Sequence, residues 1–326
     1  MTILVTGGAG YIGSHVVHDL VDRRQSVLVL DNLSTGFRHA VPSKARLVVG
    51  DVGDEGLVSR LMAEHRVEAV MHFAASSVVP DSLANPVGYY SNNTASSLFV
   101  LRAAIQAGIK HFVFSSTAAV YGNPDARLVR EGDVPRPMSP YGASKLMTET
   151  MLRDAAQASR LTYVVLRYFN VAGADPKLRT GQSTRAATHL VKVAVQAAVG
   201  IRSGMEIFGT DYPTPDGTCV RDYIHVCDLG NAHVDALDYL CGGGPSATLN
   251  CGYGRGYSVR EVIDTVKRVS GIDFAVTIRP RRAGDPASIV ADTQMIRRVL
   301  SWKPAYDDIE TIVHHALAWE RKLMAQ

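Results

Sequence analysis

At 326 residues the chain exceeds one typical domain, so two lobes or one enlarged α/β domain are expected. With 46% hydrophobic and 20% charged residues and no long biased tract, it falls outside the disordered and collagen-like classes. The 34 Lys and Arg against 31 Asp and Glu leave a formal charge of +3, and without a basic stripe this argues against a nucleic-acid partner. Met1 runs at once into the strand-like Thr2 to Thr6, with no leader-like basic and apolar regions. No apolar run reaches the about 18 residues of a membrane span, so neither export nor anchoring is expected. Further strands are expected at 27–31, 46–50, 69–73, 111–115 and 162–167, with helix-length segments between them. That alternation predicts a doubly wound parallel sheet, whose ligands sit at the carboxyl ends of the strands. Beyond about residue 170 the alternation gives way to Gly/Pro-punctuated shorter elements, read as a smaller second lobe. Cys219, Cys227, Cys241 and Cys251 show neither CxxC spacing nor the density of a disulfide scaffold, which suits a reducing cytoplasm. The histidines include no HExxH or other completed ligand set, so no metal is expected.

The first strand leads directly into Gly7-Gly8-Ala9-Gly10-Tyr11-Ile12-Gly13 and then a helical pattern to Asp22. Glycines there allow a tight turn and close backbone approach to a pyrophosphate, while the helix N-terminus supplies free N–H groups. Asp31 ends the second strand eighteen residues after Gly13, where an acid that binds the adenosine ribose belongs. A carboxylate there repels a 2′-phosphate, so NAD is expected rather than NADP. Asp51, at the end of the third strand, is placed to meet either the adenine edge or solvent.

Tyr141-Gly142-Ala143-Ser144-Lys145 begins a helix after Pro140. At i and i+4 the phenol and the ammonium share a face, and the cation is expected to favour the ionised phenol that general-base chemistry near neutral pH requires. Ser115, Ser116 and Thr117 at the end of the fifth strand would add hydroxyls to the same cleft. A Thr/Tyr/Lys set of this kind suits hydride transfer at a secondary alcohol: the phenolate takes the hydroxyl proton, the Thr117 side chain orients the substrate, and the lysine reaches the nicotinamide ribose.

TGGAGYIGSH, DNLSTG, HFAA, FSSTAAVYG, SPYGASK and RYFNVAGA together resemble the extended short-chain dehydrogenase/reductases. IFGTDYPTPDGTCVRDYIHVCDL and RPRRAGDP narrow the resemblance to the UDP-glucose 4-epimerases, and it extends over essentially the whole chain. The resemblance implies a Rossmann-type NAD-binding lobe over 1–170 and a UDP-sugar-binding α/β lobe over 171–326, with the chain crossing back around 219–250. It implies cofactor contacts from Gly7, Gly10, Tyr11, Ile12, Gly13, Asp31, Asn32, Asp51, Val52, Phe73, Ala74, Asn93, Ser115, Tyr141, Lys145 and Tyr168. It implies substrate contacts from Thr117, Tyr141, Asn170, His189, Leu190, Phe208, Arg221, Tyr223, Arg282, Asp285 and Ile289. Arg221 and Arg282 would fork onto the diphosphate and Asp285 would accept from the uridine ribose. It also implies a homodimer through helices over 86–107 and 141–157.

The expected reaction interconverts UDP-galactose and UDP-glucose through a 4-keto sugar, with redox balance restored in each cycle. Three positions depart from the best-known bacterial form: Ser77 replaces a lysine near the pyrophosphate, His189 an asparagine by the diphosphate, and Ile289 a tyrosine that closes the sugar pocket. A 4,6-dehydratase would need carboxyls directly after Thr117, where this chain has Ala118 and Ala119. Epimerases of other UDP-sugars share the mechanism, and a non-catalytic NAD sensor would have no use for Thr117, Tyr141 and Lys145 together.

Overall fold

A computed structural model describes residues 1–124, 128–184, 187–282 and 284–325. Six strands come first in the chain: β1 (Thr2–Thr6), β2 (Ser26–Asp31), β3 (Arg46–Val49), β4 (Ala69–His72), β5 (His111–Thr117) and β6 (Thr162–Tyr168). Then follow β7 (Asn170–Ala172), β8 (Gly204–Phe208), β9 (Val220–His225), β10 (Ala247–Cys251), β11 (Gly256–Ser258), β12 (Ala275–Arg279) and β13 (Ser288–Ile289).

The main sheet has the order β10-β6-β5-β4-β1-β2-β3, parallel throughout. This is the expected Rossmann-type doubly wound sheet, and its order reverses between β1 and β4, where ligands of such sheets bind. Both faces are covered, so its strands read as continuous apolar runs. Ile3, Val5, Val27 and Val29 pack with Val16 and Leu20 of helix Tyr11–Asp22 and with Leu229 and Leu237 of helix Val226–Cys241. Leu4, Leu28 and Leu30 point the other way, onto Val58 and Leu61 of helix Glu55–Glu64, Val100 of helix Ser96–Gln106 and Leu152 of helix Pro140–Ala158. Burying each of these side chains contributes about 1.5–3 kcal/mol.

The seventh strand was not expected. β10 is reached from the late part of the chain and pairs with β6, while helix Val226–Cys241 lies against helix Tyr11–Asp22. The remaining strands form two small sheets: β9 pairs with β7, β11 and β13, and β8 pairs with β12. A third apolar cluster supports them, from helix Leu190–Ala198 and helix Val259–Ser270 to helix Ile309–Met324.

Candidate active site

The glycine loop closes on itself and on the residues that follow β4, with no room for a side chain at Gly7 or Gly13. Gly7 has φ +71°, and a Cβ there would stand 2.6 Å from the Ala74 nitrogen; one on Gly13 would stand 2.3 Å from the Gly7 carbonyl oxygen. Helix Tyr11–Asp22 therefore begins directly over the end of β1, with Gly10 as N-cap and no side chain on its free N–H groups. That cradle suits an anion held by backbone alone.

Asp31 ends β2 beside it. Its Oδ2 accepts from the Ala9 N–H at 2.9 Å and its Oδ1 from the Leu33 N–H at 2.8 Å. Each oxygen keeps a further lone pair, so the carboxylate braces the loop and can also take ribose hydroxyls. Asn32 donates to Asp51 Oδ2 at 2.8 Å, and Val52 is buried next to them. A bare cradle, an open helix N-terminus and an acid at the end of β2 fit NAD. Asp31→Ala is expected to weaken NAD binding to cofactor-stripped protein and to narrow its preference over NADP, read by titrating both. Unchanged preference would leave Asp31 a loop brace only.

Three expected cofactor residues have polar atoms or a ring already engaged within the protein. The Tyr11 hydroxyl donates to the Gly173 carbonyl at 2.7 Å, and the Phe73 ring packs on His233 with centroids 4.7 Å apart. The Asn93 amide is fully used within the protein. It accepts from the Ser76 N–H at 2.8 Å and donates to the Ser76 carbonyl at 3.0 Å and to Ser144 Oγ at 3.1 Å, tying the β4 exit to the catalytic helix. Asn93 sits in a π-helical segment, Tyr90–Ala95, whose wider turn admits this clamp.

The catalytic helix, Pro140–Ala158, starts at Ser139, whose Oγ accepts from the Gly142 N–H at 3.2 Å, with Pro140 in the first turn. A Cβ on Gly142 would lie 2.5 Å from the Ala119 carbonyl oxygen, so this glycine allows the helix to touch the turn that follows β5. Tyr141 is thereby brought beside Thr117 and Tyr168, whose hydroxyls act on the ionisation of its phenol. Tyr168 is also close enough to Ser115 for that hydroxyl to act on it, so a second phenol belongs to the catalytic cluster.

Burial works against the expected charge relation. Burial pushes the Tyr141 phenol well above its usual range, with Tyr168 adding to the rise and the Thr117 hydrogen bond opposing it. Lys145 does not offset this, because its Nζ donates to the Ser115 carbonyl at 2.9 Å and lies 4.9 Å from the centre of the Phe114 ring. Burial lowers its own pKa to about 7, with Glu149 opposing. The nearby His72 is driven to about 3 by burial and by Lys145, and so stays neutral.

On the substrate side, β9 gathers the expected residues. Asn170 of β7 is in register with Tyr223, and Ile289 of β13 with Arg221. Arg221 stands 3.9 Å from Asp285, Arg282 donates to Asp285 at 3.0 Å, and the Arg282 guanidinium lies 5.3 Å from the centre of the Phe208 ring. Two guanidiniums thus share one carboxylate, and a net positive charge is left for a diphosphate. His189 caps helix Leu190–Ala198, with its Nδ1 2.8 Å from Gln182 Nε2. Ile289 is more enclosed than expected: it is buried in an apolar cluster with Ala118, Val120 and Phe169, of which Ala118 follows Thr117 in the chain.

The profile of the NAD dependent epimerase/dehydratase family matches residues 3–252. The chain belongs to that family. Over 321 residues it is 58% identical to the UDP-glucose 4-epimerase of Azospirillum brasilense, covering 98% of this chain and 92% of that one. It is similar to the crystal structure of UDP-glucose 4-epimerase from Brucella ovis in complex with NAD, with TM-score 0.94, 41% identity and 97% of each chain covered. It also resembles the UDP-Glc/GlcNAc 4-epimerase of Campylobacter jejuni, with TM-score 0.86, 46% identity, and 98% and 99% of the chains covered.

Sequence patterns did not point to one group in this family member. Thr6 Oγ1 lies 2.6 Å from His72 Nδ1, and His72 Nε2 lies 2.8 Å from Ser97 Oγ, which donates in turn to the Asn93 carbonyl. Because Ser97 uses its only proton there, His72 must donate from Nε2 and accept from Thr6 at Nδ1. Neutral His72 thus satisfies every partner in a relay running from β1 to the Asn93 clamp.

Proposed function

We propose that the chain is an NAD-dependent UDP-glucose 4-epimerase that interconverts UDP-galactose and UDP-glucose through a 4-keto intermediate. The observation that carries this function is the buried Tyr141 phenol set beside Thr117 at the end of β5, two strands from the glycine cradle. When bound, NAD would be held by the glycine cradle, Asp31 and Lys145, and would supply the hydride acceptor for sugar C4 and the donor for its return. Tyr141 takes the proton from the O4 hydroxyl while Thr117 holds that hydroxyl in line, and returns the proton to O4 after the 4-keto hexose has turned. Arg221 and Arg282 hold the diphosphate so that the hexose can turn without leaving. Ala118 and Ala119 leave the dehydratase alternative without its acid and base.

Protein purified as expressed should carry NAD and convert UDP-galactose to UDP-glucose with no added cofactor, followed by proton NMR of the anomeric signals. Deuterium placed at sugar C4 should stay there. NADH accumulating in step with sugar oxidation would refute the epimerase reading.

The cofactor and substrate residues named above, and the division into an NAD lobe over 1–170 and a UDP-sugar lobe over 171–326 with a return around 219–250, belong to this proposal. So does a homodimer through helices over 86–107 and 141–157, which display Val87, Leu98, Ile105 and Met147 to solvent beside an apolar groove lined by Pro137, Ala143, Leu146 and Met151. A cytoplasmic setting accords with four free cysteines, and among the described residues no helix is long and apolar enough to cross a membrane.

N-acetylated substrates form a second reading, because a wall of Ile289 and Ala118 leaves more space than a tyrosine would. Ile289→Tyr should suppress turnover of UDP-N-acetylglucosamine selectively and Ile289→Ser should raise it, each by about 10- to 200-fold in kcat/KM relative to UDP-glucose. Equal effects on both sugars would remove Ile289 from the pocket wall.

A further inference from the structure

Below the catalytic pair, one more turn along the same helix, lies a carboxylate that the reaction scheme above does not use. Tyr141, Lys145 and Glu149 stand at i, i+4 and i+8, and all three are buried. Glu149 meets two strands at once. It accepts from Ser116 Oγ of β5 and takes a forked contact from Arg167 of β6, with Nη2 at 2.6 Å and Nε at 3.1 Å. Ser116 and Arg167 are directly paired in the sheet. Arg167 is fixed in its turn by the Tyr121 hydroxyl at 3.0 Å.

Ser116 has a telling position. Its predecessor, Ser115, offers the carbonyl that receives Lys145, and its successor, Thr117, carries the hydroxyl that acts on the Tyr141 phenol. The Ser116 side chain points to the opposite face from its two neighbours, toward the helix. Anchoring Ser116 to Glu149 therefore sets the strand segment that presents both groups. Charge follows the same geometry. The ionisable groups around Lys145 are Tyr141 and Glu149 on its own helix, His72 on β4, and Arg167 and Tyr168 on β6. His72 is neutral, and of the Glu149–Arg167 pair it is Glu149 that stands one turn from Lys145 on the same helix face and acts on the buried ammonium.

We propose that Glu149 is a positioning residue for the epimerase reaction: its carboxylate locks Ser116 between the Lys145 acceptor and Thr117, and it supplies the counter-charge that keeps Lys145 cationic. The proposal rests on the epimerase function, but its charge element can be read without turnover.

In protein carrying carbon-13 lysine, the Lys145 Cε resonance, assigned by its loss in Lys145→Met, reports the ammonium directly. In Glu149→Gln, which keeps an acceptor for Ser116 and removes the charge, the midpoint of that resonance should fall by about one pH unit. The alkaline limb of kcat/KM should fall with it, while KM changes little. Glu149→Gln leaves Arg167 unpaired and can compromise folding; Glu149→Gln combined with Arg167→Met removes both buried charges and is expected to fold. The lowered Lys145 midpoint should persist in that double variant. A folded variant of either kind with the parental Lys145 midpoint overturns the proposal. A lowered midpoint in protein that epimerises no UDP-sugar would instead uphold the charge relation and overturn the assigned reaction.

Discussion

Replacing Tyr141 by Phe should lower kcat for UDP-galactose epimerisation by at least about a hundredfold, the lower range for loss of a general base, while the protein still purifies with NAD. The phenol is buried against Thr117 and Tyr168, and neither neighbour can replace it. Thr117 is a hydroxyl far weaker in acidity, and burial raises the Tyr168 phenol as well. Losing the hydroxyl should cost about 1 kcal/mol from its hydrogen bonds, a small shift in Tm. Stopped-assay kinetics with a parallel melting curve therefore separate chemistry from folding. Near-parental turnover would move the base to another group.

The second large effect is expected at Gly13. A methyl there would lie 2.3 Å from the Gly7 carbonyl oxygen and 2.9 Å from the Gly8 Cα, which are backbone atoms with no rotamer to yield. Relief requires moving the loop off helix Tyr11–Asp22, and the N–H groups that would receive a pyrophosphate move with it. Gly13→Ala should cost about 3 kcal/mol or more, and the purified protein should lose its bound NAD. The absorbance of nucleotide released on acid denaturation checks this. Full cofactor occupancy in the variant would show that the loop tolerates the shift.

This loop was the most legible part of the chain, because local geometry alone demands glycine there and the motif lies between a strand and a helix. The first six strands were equally legible, since burial on both faces gives runs such as Ile3-Leu4-Val5 that admit few other readings. β10 was not, because Ala247-Thr248-Leu249-Asn250-Cys251 places polar Thr248 and Asn250 where a buried strand reads as an apolar run, and its partner β6 lies some eighty residues earlier. The catalytic pair could be read from its spacing, but its charge state could not. Desolvation of Tyr141 and Lys145 depends on what the tertiary fold places over them, and it outweighs their mutual spacing. Glu149 stood at a readable interval from Lys145, yet its partners Ser116 and Arg167 come together only through the pairing of β5 with β6.

The late return of the chain to the main sheet has a consequence for biosynthesis. A ribosome that has released residues 1 to 170 has released the glycine cradle, Asp31 and the catalytic helix, yet β6 still has an open edge and helix Tyr11–Asp22 still lacks its neighbour Val226–Cys241. Some eighty further residues must emerge before Cys251 closes that edge. During this interval the nascent chain presents an unpaired, apolar strand to its surroundings, a hazard for edge-to-edge association. A fragment ending near residue 170 should accordingly be insoluble, and cofactor capture should begin only when translation has passed β10.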